Sequence, residues 1–108
     1  MNLIYEVNLE VQYTIIPQFS DWLEQHIQEM LSFDGFVSAQ WYSRQNLDEA
    51  NHDPVQLWTI HYQLHDRKAY DDYISNHAIK MRDDGLKHFG GQFQASRRIL
   101  YRESTYAL

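Results

Sequence analysis

The chain contains no cysteine, which excludes disulfides, thiolate zinc sites and thiol nucleophiles. No apolar run approaches the ~20 residues that a membrane span requires. Basic residues are nearly missing from the first part of the sequence. Residues 1–60 hold nine acids and a single base, Arg44, for a charge of −8, whereas residues 61–108 hold six acids and eight bases, for +2. The net charge of −6 and the acidic pI near 5.3 argue against DNA or RNA as the main partner. An anionic ligand would be met from the C-terminal half; the plainer reading is a solvated surface whose two halves attract. The N-terminal "MNLIYEVNLEV" has no basic leader and alternates like a strand rather than a signal peptide. The expectation is a soluble cytoplasmic protein.

Catalytic motifs are also scarce. Ser20, Ser38, Ser43 and Ser96 lack a G-x-S-x-G context. Gly90-Gly91 has neither the spacing of a phosphate loop nor a following helix. Nothing calls for a cofactor, and none is expected.

What is present is a large apolar content. Forty-four per cent of residues are hydrophobic and 15% aromatic, with eight tyrosines and three tryptophans. Disorder is excluded, and 108 residues suit one domain, taken as 1–108. Large rings fill a sheet–helix interface and also line small-molecule pockets.

The pattern along the chain predicts β-α-β-β-α-β. Apolar residues at 3, 5, 7, 9 and 11 mark a half-buried strand. Pro17 and Ser20 open a helix carrying Phe19, Leu23, Ile27 and Met30, running to about Phe33 and stopped by Asp34-Gly35. A strand follows from Phe36 to about Arg44, then the polar loop "QNLDEANHDP" with a solvated His52. A third strand spans Val55 to about Leu64. Asp66 caps a second helix with Tyr70, Tyr73, Ile74, Ala78 and Met81 on one face. Gly85, Gly90 and Gly91 break the chain before a last strand from Phe93 to about Arg102.

One segment occurs twice. "DWLEQHIQEM" from Asp21 and "DYISNHAIKM" from Asp72 share D-[WY]-[LI]-x-x-H-[IA]-x-x-M at an offset of 51 residues. Two βαβ units in tandem, each with the same helix, give the split βαβ, ferredoxin-like α+β fold: a four-stranded antiparallel sheet with two helices on one face. The repeat sets the helix-covered face as Leu3, Tyr5, Val7, Leu9, Val37, Ala39, Trp41, Trp58, Ile60, Tyr62, Phe93, Ala95 and Ile99. The other face carries Glu6, Asn8, Glu10, Ser38, Gln40, Tyr42, Thr59, His61, Gln63, Gln94, Ser96 and Arg98, with Ile4, Leu57 and Leu100 among them. One wet face is ordinary for an antiparallel sheet.

Helical spacing puts His26 in the middle of the buried stripe between Leu23 and Met30, and His77 in the matching place. A buried imidazole needs partners, and the hydroxyls of Tyr5 or Tyr62 are the natural ones. Three readings follow: core histidines, a cavity in which His26 or His77 is a general base, and a metal held by both. No H-x-x-x-H or H-x-x-E spacing occurs within either helix, so no metal is expected. Arg97 alternates with Ala95 and Ile99, and so should face the helices, where it could hold a carboxylate or an enolate.

"HIQEM" followed by Gly35-Phe36, then "HAIKMR" leading into "HFGGQFQASRRIL", resembles a family of short bacterial proteins, domain of unknown function 4286. The most specific part is His77-Ala78 with Arg82, Phe89-Gly90, Phe93 and Arg97. That family is similar to the dimeric α/β-barrel superfamily. The resemblance implies a homodimer whose sheets pack face to face, and leaves activity open. The expected function is binding or transformation of a small aromatic or anionic molecule between sheet and helices. His26 and His77 are the acid/base candidates, and Tyr5, Tyr62 and Arg97 the substrate-binding candidates. The competing reading is a non-catalytic dimerisation or interaction module with structural histidines.

Overall fold

The fold is taken from a computed structural model that describes residues 2–48 and 54–108; the expectation for His52 falls outside them. Four strands, β1 (Leu3–Gln12), β2 (Phe36–Ser43), β3 (Val55–Leu64) and β4 (Phe93–Tyr101), form one antiparallel sheet in the order β2-β3-β1-β4. This is the expected ferredoxin-like arrangement. Helix α1 (Ile16–Met30) follows β1 through a 3-10 turn, and two consecutive helices, α2 (Arg67–Asn76) and α3 (Ala78–Phe89), follow β3. Both helical layers cover the same sheet face. Among the described residues no helix is long and apolar enough to cross a membrane.

Local chemistry explains the joints. Pro17 lies in the first turn of α1, where its missing N–H costs no helical bond. The Asp66 carboxylate accepts from the Ala69 N–H at 2.9 Å and so caps α2. Gly35 has φ +85°, and a Cβ there would lie 2.3 Å from the Ala69 Cβ. The Asp34-Gly35 turn therefore needs glycine both for its backbone and for the close approach of α2.

The core fills the gap between sheet and helices with Tyr5, Val11, Phe19, Met30, Ile60, Tyr62 and Leu64, each almost wholly buried. The face assignment holds on β1, β3 and β4, whose register pairs Val7 with Ile60 and Arg97. It fails at one position of β2. An irregularity between Phe36 and Ser38 turns Phe36 into the core and leaves Val37 47% exposed. One extra residue in a strand breaks the period of two at that point.

Two further expectations need correction. The second helix is two helices, because His77 has φ −132° and ends α2. Gly85 does not break the chain but lies buried inside α3. A Cβ there would meet the Trp22 ring at 3.0 Å and Phe93 at 3.5 Å, so glycine lets α3 approach α1 across the indole.

The uncovered sheet face is less wet than its composition suggests. Glu6, Leu57 and Thr59 are only 4%, 7% and 7% exposed there. Glu6 takes hydrogen bonds from Arg98 and from Asn8 (2.9 Å), and the His61 Nε2 lies 2.8 Å from its other oxygen. Arg44 donates to Asn8, to Thr59 and to the Trp58 carbonyl at 2.9–3.0 Å. Long side chains roof the centre of the face. Burial pushes the Glu6 pKa up, but its bonds to Arg98, Asn8 and His61 outweigh that and hold it at about 2.

Candidate functional site

A cavity of about 50 Å³ lies between the sheet and the helices. Its walls are largely rings: Tyr5 and Tyr62 from β1 and β3, Phe19 and Trp22 from α1, Tyr73 from α2 and Phe93 from β4. Its polar groups are His26, Arg82 and Arg97 together with the tyrosine hydroxyls. The strands supply the rings because inward positions alternate along β1 and β3. Tyr5 touches three other tyrosines, Tyr62, Tyr70 and Tyr73, with ring centres 5.3–6.0 Å apart.

His26 reaches this cavity as the helical spacing predicts, but no tyrosine hydroxyl holds it. Its ring lies on Trp22 instead, with centres 4.6 Å apart and planes 25° from parallel. The Trp22 N–H is tied to Asp84 of α3 at 2.9 Å. Burial lowers the His26 pKa to about 4; Asp84 works against that shift and Arg97 adds to it. The imidazole is therefore neutral at pH 7 and lines the cavity in that form.

His77 is elsewhere. The break between α2 and α3 turns it out of the stripe, so that it is exposed and stacked on Phe33 at 4.1 Å, with planes 11° apart. It lines an open surface groove with Lys80, Asp83 and Lys87, not the cavity that holds His26. The repeat therefore does not build a two-histidine site. Among the described residues no three histidine or carboxylate side chains are grouped to hold a metal.

Arg97 points to the helix side as alternation requires, opposite Val7, while much of its surface stays in water on the edge strand β4. Tyr62 and Tyr5 both line the cavity. Burial raises the Tyr62 pKa and, less strongly, that of Tyr73 to about 12, so both are neutral hydroxyls at pH 7.

Sequence reasoning did not place Arg82 in the site. Its Nη2 donates to the Tyr5 hydroxyl at 3.2 Å. The signal was present: Ala78, Arg82, Gly85 and Phe89 follow at steps of four, three and four, a helical stripe with one arginine in it. Both cavity arginines come from the basic C-terminal half.

The fold is shared with proteins of known structure. A cofactor-independent oxygenase, SnoaB from Streptomyces nogalater, aligns with TM-score 0.67 at 11% identity over 97% of each chain. Rv0793 from Mycobacterium tuberculosis aligns with TM-score 0.66 at 14% identity, over 99% of this chain and all of the other. A dimeric ferredoxin-like protein from an uncultured marine organism aligns with TM-score 0.63 at 16% identity, over 95% and 98%. At such identities the likeness is one of fold. Among curated proteins none matches the chain. A family model does, across residues 2–103, as the motifs around His26 and His77 suggested: the chain belongs to the family described as Domain of unknown function (DUF4286).

Proposed function

We propose that this protein works in the cytoplasm as a homodimer, joined through its uncovered sheet face, and that each protomer binds a small anionic or aromatic molecule between sheet and helices. The single observation that carries this reading is a neutral imidazole, His26, lining a ring-walled cavity together with two arginines. Neutral base, fixed positive charge and apolar walls together suit capture of an acidic molecule and abstraction of its proton. Tyr5 and Tyr62 orient the ligand, and Arg97 stabilises the negative charge that forms. A bound anion also offsets the Arg97 charge that depresses His26, which makes the base stronger when the ligand is present. The chemistry that fits is proton transfer or cofactor-free oxygenation, the latter being the activity named for SnoaB.

Two observations support the dimer. One structural neighbour is a dimeric ferredoxin-like protein, and the molecule is a slab with extents of 39 × 38 × 18 Å, a single sheet–helix double layer. A sheet face bearing Ile4, Tyr42 and Leu100 among ordered polar groups suits a mixed interface.

The competing reading is a dimerisation module without catalysis, favoured by the small cavity. A melting screen of aromatic carboxylates and phenols separates the two. A ligand of the native state stabilises it by ~2.7 kcal/mol at a hundredfold excess over Kd, and His26→Gln should weaken binding while the protein stays folded and dimeric. No stabilising compound, combined with a His26→Leu variant that melts above the parent, would leave the module reading standing.

A further inference from the structure

Among the described residues, the Arg82 Nε is a buried side-chain donor with no hydrogen-bond partner. Buried donors are almost always satisfied, and leaving one unmet is destabilising. The guanidinium presents Nε–H and one Nη2–H along a single edge, the edge that receives carboxylates side-on. Here Nη2 already donates to the Tyr5 hydroxyl at 3.2 Å. A hydroxyl that accepts through its oxygen keeps its own proton to donate. Arg82 Nε–H and Tyr5 O–H are therefore two neighbouring donors, and both residues line the cavity.

From this arrangement we infer that Arg82 and Tyr5 form an oxyanion-binding position, and that the ligand carries a carboxylate which takes both protons. The inference rests on the proposed function and narrows it from a small anionic or aromatic molecule to a carboxylate. The position is buried, carries a full positive charge and has ring walls, so a carboxylate is favoured there over a neutral amide of the same shape. A water needs roughly 10–15 Å³ of such space, so a cavity of about 50 Å³ takes a ligand of a few heavy atoms. The Arg82 Nε is shut off from solvent, so a short-chain monocarboxylate reaches it by displacing side chains packed against it. Arg82 anchors the anion, and His26 remains free to exchange a proton with the rest of the molecule.

The test uses propionate and its neutral counterpart propionamide, titrated into the full-length protein. The readouts are the arginine Nε–H resonance assigned to Arg82 and the resonances of cavity residues. Propionate should move the Arg82 signal and propionamide should not. Arg82→Lys keeps the charge but loses the edge, and should weaken propionate about tenfold or more, as expected for a lost hydrogen bond to a charged group. Tyr5→Phe should weaken it several-fold, and Gln94→Ala on the opposite sheet face should leave it unchanged. Arg82→Gln is the second variant if Arg82→Lys melts far below the parent; it too should bind propionate about tenfold or more weakly. If propionate and propionamide perturb the cavity equally, and the Arg82 variants bind both like the parent, the carboxylate position is overturned while the cavity remains a binding site. If neither compound perturbs the cavity, the carboxylate position is overturned, and the reading beneath it falls with it only if the melting screen also finds no ligand.

Discussion

The His26 imidazole and the Trp22 indole are stacked, and Trp22 is in turn hydrogen-bonded to Asp84 across two helices. The histidine is thereby held at the cavity wall by a ring rather than by a polar partner, which leaves its charged form poorly solvated. Its pKa of about 4, against an ordinary value near 6.5, has a consequence for stability. Between those two values the unfolded chain binds the proton and the folded one does not, so stability falls as pH drops from 6.5 toward 4. The loss should be on the order of 3 kcal/mol. Urea denaturation of the parent and of His26→Leu across that range should show the slope in the parent and a shallower one in the variant. Parallel curves would mean that His26 titrates normally.

Glu6 gives a second, separate acid dependence. Its pKa of about 2 lies below the ordinary 4.5, so the stability it contributes is complete above pH 4.5 and is lost as pH falls toward 2. Glu6→Gln should lower stability at pH 7 by roughly 2–3 kcal/mol, since it removes a buried charge from Arg98 and His61. The same variant should flatten the denaturation profile below pH 4.5. The Glu6 side chain is only 5% exposed, so raising salt alone should reproduce only a small part of the loss.

Two glycines with the same backbone conformation should respond differently to alanine. Gly35 and Gly91 have φ of +85° and +82°. An alanine Cβ would meet nothing within 4 Å at Gly91 but would overlap the Ala69 side chain at Gly35. Gly91→Ala should cost about 1 kcal/mol from backbone strain alone. Gly35→Ala should cost at least ~2 kcal/mol more, because α2 must move away. Similar melting temperatures for the two variants would show that α2 has room to give.

The two sheet faces should separate as cleanly under mutation. Trp58→Ala should cost ~3–5 kcal/mol, since the ring is 8% exposed and packs on Phe19 and Trp41. Gln94→Ala, exposed on the opposite face, should change monomer stability by less than about 0.5 kcal/mol. Chemical denaturation at protein concentrations below the dimer dissociation constant is the appropriate measurement.

Much of this architecture was legible in the residues. Strand β3 was read at both ends, because its alternation is long and a proline precedes it. Asp66 was read as a cap because a carboxylate before a helix has one clear use. The failures share a cause: each depends on a backbone dihedral that side-chain pattern does not encode. The irregularity at Phe36–Ser38 exchanged Phe36 for Val37, and no glycine or proline within those residues announces it. The break at His77 follows Asn76 in a stretch that a helix would tolerate, and it undid the equivalence of two histidines that the repeat made look alike. Arg82 was missed for a different reason. An arginine in a helical stripe reads as a solvent-facing stem, and only the partner at Tyr5, 77 residues away in sequence, shows that its head is turned inward.

The order β2-β3-β1-β4 places no two strands of the same half side by side. β1 lies between β3 and β4, and β2 is bonded only to β3. Neither copy of the repeated unit can close a hydrogen-bonded ladder from its own strands. A half-length forebear with one strand–helix–strand unit could have made this sheet only as two chains threaded through each other, each supplying the neighbours the other lacked. Joining β2 to β3 in one polypeptide would then have left the ladder as it was and changed the order of reaction. Mutual assembly of two short chains would thereby have become a concentration-independent step within one.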